Sequence, residues 1–133
     1  MILRKYMSLL GIGCAKVNLI LEKKKFFPGE GIVGYFSIKG GTIEQLIKRI
    51  ECDLIKVNCS KRSETIVDSV TIHTSRTIDC NEDNQVKFYF RLPDNISPSD
   101  TNISYHFKTR LIFEEGVKSV DQDSILILSC GQR

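Results

Sequence analysis

The chain has no tryptophan, three prolines, two methionines and two histidines in 133 residues. Without tryptophan it lacks the usual aromatic platform of a sugar-binding sandwich. No apolar stretch approaches the roughly 20 residues needed to cross a bilayer as a helix. No run of like charge exceeds Lys23-Lys24-Lys25, and basic residues do not interleave with aromatics as they do where bases stack, so a nucleic-acid footprint is missing. The five cysteines (Cys14, Cys52, Cys59, Cys80 and Cys130) contain no Cys-x-x-Cys pair, and their odd number argues against a disulfide framework. Neither His73 nor His106 has a Cys or His at ligand spacing. There is no Gly-x-Ser-x-Gly and no diagnostic partner for either histidine. The acidic clusters Asn81 to Asn84 and Asp121 to Asp123 do not follow the spaced calcium-loop pattern, and turn formation accounts for both. The reading is of a protein that is not an enzyme, with no catalytic residue, metal ligand or cofactor.

What is present suits a single domain with one core: 41% hydrophobic and 26% charged residues. The net charge of +3 hides an asymmetry, because residues 1–62 carry twelve basic and five acidic side chains and the remainder carry seven and eleven. In a sandwich these halves interleave. Cys52 shares a strand face with Ile50 and Leu54, which predicts a buried, reduced thiol and fits a cytoplasmic protein.

Alternation of period two dominates the chain and predicts an all-β, mainly antiparallel two-sheet sandwich of immunoglobulin-like type. Val17, Leu19 and Leu21 fall on one face; after a turn, Ile32, Gly34, Phe36 and Ile38 do the same. Pro28-Gly29 between them fits a type II turn. In Thr42 to Val57 the apolar phase slips around Lys48-Arg49, which predicts a β-bulge. Val86, Phe88, Phe90 and Leu92 form the cleanest core strand, followed by the Tyr105-to-Phe113 set, with a last strand expected over Ser124 to Ser129.

Residues 1–14 are expected to form an amino-terminal entry segment, helical or irregular, ahead of a domain over 15–133. Arg4-Lys5 and the apolar run up to Cys14 offer an alternative, an exported or lipid-anchored ligand-binding β-sandwich module. Against it, the run is short and broken by Gly11 and Gly13, and the large aliphatic residue sits one position too far from Cys14.

Several short runs carry a family likeness. Ala15-Lys16-Val17, Leu21-Glu22, Phe27-Pro28-Gly29-Glu30, Gly34, Ile38-Lys39-Gly40-Gly41 and Glu44-Gln45 resemble the start of the bacterial sporulation-control proteins of the arrestin-like superfamily. Phe90-Arg91-Leu92-Pro93 and Val120-Asp121-x-Asp123 extend the likeness toward the end of the chain. The resemblance implies an arrestin-like sandwich and a regulatory scaffold that binds protein partners through sheet edges or end loops. It also implies a short entry segment before the first strand. Edge-to-edge pairing is equally a route to a homodimer.

The candidate interaction loop is Lys23, Lys24, Lys25, Phe26 and Phe27. Three consecutive ammonium groups have no place in a core. They suit an acidic partner or weak peripheral contact with an anionic membrane at roughly 1 kcal/mol per lysine. Phe27, just before the turn, is expected to anchor the loop.

Overall fold

The computed structural model describes residues 13–116 and 118–129. The expected entry segment over 1–14 therefore lies outside the described residues except for Gly13 and Cys14. Among the described residues there is no helix. Eight strands follow one another: β1 (Lys16–Leu21), β2 (Lys25–Phe26), β3 (Gly31–Lys39), β4 (Gln45–Asn58), β5 (Ser63–Ile78), β6 (Asp83–Arg91), β7 (Ile103–Phe113) and β8 (Lys118–Ile127). They make a three-stranded sheet ordered β1-β3-β6 and a five-stranded sheet ordered β2-β8-β7-β4-β5. Every pairing is antiparallel except β2 with β8. This is the all-β, mainly antiparallel sandwich that the alternation predicts.

The two inner faces close on one core. Val17, Leu19, Ile32, Phe36, Ile38, Phe88 and Phe90 from the smaller sheet, with Leu92 just past β6, meet Ile50, Cys52, Leu54, Tyr105, Phe107, Leu111 and Phe113 from the larger one. Leu21 and Val86, both expected inside, are half-buried against this cluster. Aromatic rings form its centre: Phe36 meets Phe88 edge-on at 5.2 Å, and Phe107 meets Phe88 and Phe90 edge-on at 5.5 and 5.3 Å. Edge-to-face geometry sets the positive ring edge against the negative face and adds about 0.5–1.5 kcal/mol per pair beyond burial.

The expected bulge is in place. Both neighbours of β4 shift register between Ile47 and Arg49: against β7 Lys48 is the extra residue, against β5 Thr74 and Ser75 oppose it, and Ile47 and Ile50 both reach the core. A second shift, between Leu54 and Ile55 against β5, leaves Val67 without a partner and was not visible in the sequence.

Three expectations need correction. β1 and β3 do pair, but the chain between them detours to the other sheet and forms β2. The last strand begins six residues before Ser124. Asp121-Gln122-Asp123 is therefore not a turn but part of β8, because its register with β7 continues unbroken from Tyr105 to Ile112.

Candidate functional site

The Lys23-to-Phe27 segment begins where β1 ends. Glu22 N–H still donates to Val33 O at 3.2 Å, and the chain then leaves the three-stranded sheet. Lys24 O accepts from Leu126 N–H and Phe26 O from Leu128 N–H, both at 2.8 Å, which sets Lys25 and Phe26 parallel to β8. The period of two then turns Phe26 inward, at 2% exposure, and Lys25 outward. Phe27 is only half-buried. The apolar anchor of the loop is thus Phe26, one residue earlier than expected. The shift follows from β2, a two-residue strand too short to announce itself by periodicity.

The turn after it is type II. Glu30 N–H donates to Phe27 O at 3.1 Å, with Pro28 in second position and Gly29 at φ 79° in third. A side chain at Gly29 would also strike the Asp94 carboxylate. Glu30 closes the turn from the other side, its Oε1 accepting Phe27 N–H at 2.9 Å. Its Oε2 pairs with the Lys23 ammonium, which lies 5.3 Å from the Phe26 ring centroid. Lys23 and the Phe27 N–H together hold the Glu30 carboxyl below the ordinary glutamate range. Lys24 Nζ stands 4.0 Å from Asp123 Oδ1. Lys25 is exposed and forms no ion pair among the described residues. The structure brings all five predicted residues into one loop and divides them: Phe26 faces the core, while the ammonium groups face solvent.

Two further surfaces accompany the loop. β5 is a sixteen-residue edge strand with no strand beyond it among the described residues, and its Ile66 is 60% exposed. On the outer face of the smaller sheet, Ile20, Val33, Tyr35, Lys87 and Tyr89 line a hollow of about 770 Å³. The hydroxyl end of Tyr89 lies over Gly31, three of its atoms within 2.8–3.2 Å of where a Cβ would be, and the residue is 62% exposed.

The remaining candidates stay apart. His73 is exposed on β5 and His106 half-buried on β7. No group of His, Cys, Asp or Glu among the described residues has the arrangement of a metal site. Cys52 is fully buried and unbridged, and its thiol is pushed up to about 11, chiefly by desolvation. Cys14 sits half-buried at the sandwich end, where Gln45 Nε2 donates to its sulfur at 3.4 Å while Gln45 Oε1 accepts Ala15 N–H at 2.7 Å. Sequence reasoning missed the ladder on the outer face of the larger sheet. There Arg110 bridges Glu51 (2.9 Å) and Asp53 (2.8 Å), with Arg49 on Glu51 and Ser69 on Asp53 at 2.6 Å each. Alternate charges at Arg49, Glu51 and Asp53 were its only signal.

Comparison with known proteins agrees with this architecture. The family model described as SpoOM protein matches residues 3–131. The sporulation-control protein spo0M of Bacillus subtilis (strain 168) is 32% identical over 130 residues, covering 93% of this chain. The crystal structure of Spo0M from Bacillus subtilis superimposes with a TM-score of 0.78 at 33% identity, over 87% of this chain. In both cases the chain spans about half the length of the relative. With an arrestin-like two-sheet sandwich and a family match along nearly its whole length, the chain belongs to the Spo0M family of sporulation-control proteins.

Proposed function

We propose that this domain is a non-enzymatic, cytoplasmic binding module that acts in sporulation control by holding a regulatory protein partner. The observation that carries the reading is β5, a long strand with an open edge and an exposed isoleucine. An open edge presents a row of backbone donors and acceptors, and an added strand gains affinity from that backbone and selectivity from alternate side chains. The Lys23-to-Phe27 loop supports the same reading at the opposite side of the larger sheet, since its ammonium groups are spared from the core and attract an acidic partner. A second copy of the chain can use the same edge. No helix among the described residues is long and apolar enough to cross a membrane.

The test is Ile66→Lys. Lysine on an edge strand discourages strand addition, and an exposed position tolerates the change within about 0.5 kcal/mol. In the spore-forming host, the variant should keep its thermal stability, lose its co-purifying partner and shift sporulation frequency. Unchanged sporulation and partner recovery would refute β5 as the contact edge.

A further inference from the structure

We propose that Asp121 and Asp123 share a single proton and together clasp β1 to β8, so that loss of this proton loosens the seam between the two sheets. Both residues lie on the inner face of β8, in line with Ile125 and Ile127. Their register partners on β7 are Thr109 and Phe107, each at 0% exposure. The pattern calls for apolar side chains at these two places, and the chain supplies carboxyls.

Asp121 has a visible task. Its Oδ2 accepts Leu19 N–H at 2.9 Å. Leu19 belongs to β1, whose one strand neighbour among the described residues is β3, so this amide lies on the edge facing β8. Asp123 has no such explanation while ionised. Its side chain is 14% exposed, its Oδ2 is buried without a hydrogen-bond partner among the described residues, and the Lys24 ammonium stands 4.0 Å from Oδ1. A bare buried carboxylate oxygen is costly. Protonation turns that oxygen into a donor, and the Asp121 carboxylate, two residues along the same strand face, is the acceptor at hand.

The surroundings favour the shared proton. Desolvation first, then the hydrogen bond and charge of Asp121, push the Asp123 carboxyl up to about 7, with Lys24 acting in the opposite direction. From β4 the titratable group nearest this side is the buried Cys52 thiol, itself raised. From β7 the inner face brings Tyr105, whose hydroxyl donates to Ser97 O at 2.7 Å; His106 and Lys108 alternate to the outer face. From β1 come the apolar Val17 and Leu19, while Lys16 and, just past the strand, Glu22 are exposed. Below neutrality the pair carries one negative charge and Asp121 stays on Leu19. Above it, two adjacent carboxylates repel, and the β1 edge loses its clasp.

Two measurements on the wild-type chain decide the matter. Side-chain carboxyl carbon chemical shifts should show Asp123 titrating near neutrality. Hydrogen exchange at Leu19, normalised to Phe36 N–H in the centre of β3 and corrected for intrinsic base catalysis, should lose protection about tenfold across the same titration. Asp123→Asn keeps a donor and cannot ionise, so its Leu19 protection should be flat with pH. Asp121→Asn should return Asp123 toward the ordinary carboxylate range. The proposal is overturned if Asp123 in the wild-type chain titrates like an exposed aspartate, if Leu19 protection does not change with pH, or if Asp123→Asn leaves the pH dependence in place.

Discussion

Replacing Phe26 with alanine should destabilise the domain far more than replacing Phe27, although the two are neighbours in one exposed-looking loop. Phe26 is 2% exposed, and its ring is carried into the core by the backbone bonds of β2 to β8. Removing such a ring leaves a cavity between strands that cannot collapse freely, at a cost of about 3–5 kcal/mol. The Lys23 ammonium would also lose the ring it faces at 5.3 Å, an exposed contact of about 0.5 kcal/mol. Phe27 is half-buried, so its truncation should cost about 1 kcal/mol, mostly through lost area. Equilibrium urea unfolding separates the two: the Phe26→Ala midpoint should drop strongly at unchanged slope, and the Phe27→Ala midpoint only slightly. Equal losses for the two variants, or a Phe26→Ala cost below about 1 kcal/mol, would refute the assignment of Phe26 as the anchor.

Other perturbations test separate parts of the molecule. In the native protein a thiol reagent should label the exposed Cys59 and Cys80 quickly and Cys52 only on unfolding, as read by mass spectrometry. Arg110→Ala should cost about 2–4 kcal/mol, because it strips both Glu51 and the nearly buried Asp53 of their bridge; a loss below about 0.5 kcal/mol in denaturant titration would contradict that. Asp123 binds its proton more tightly in the folded chain than in the unfolded one. Its contribution should therefore be full below about pH 4 and fall by about 1–3 kcal/mol as pH rises to about 7, a decline absent from Asp123→Asn. Replacing Lys23, Lys24 and Lys25 together with serine should change stability by less than about 0.5 kcal/mol per site while weakening and flattening any salt-dependent association.

Long strands were legible because one side of each is committed to the core. Val86 to Leu92 and Tyr105 to Phe113 alternate strictly, and the structure buries the alternate residues as that alternation demands, Val86 alone of the named set being only half-buried. The bulge at Lys48 was legible too, since an inserted residue reverses the apolar phase on either side of it. Two features escaped for opposite reasons. β2 has two residues, too few for any period, and only its partner β8 makes it a strand. The beginning of β8 is long enough to show a period, but Asp121 and Asp123 occupy its inward positions, so a reading by hydropathy turns the strand into a turn. The same inversion hid the seam, because carboxyls on an inner face look like solvent-facing residues until the other sheet is in place.

The loop and the seam meet at Lys24, and this juxtaposition constrains how a partner can use the surface. Lys24 holds its ammonium 4.0 Å from Asp123 while its own carbonyl fixes Leu126, so the backbone is committed to the fold and only the side chain is negotiable. An acidic partner that draws Lys24 away removes a nearby cation that favours an ionised Asp123. The Asp123 proton should then be held more tightly, and binding should be linked to proton uptake near neutrality. By reciprocity, lower pH should favour that binding for wild-type protein and not for Asp123→Asn, whereas Lys25, which makes no ion pair among the described residues, should contribute equally at every pH. Calorimetric titration in buffers of different ionisation enthalpy reads the proton uptake directly, and its absence in the wild-type protein would mean that the partner leaves Lys24 where it is.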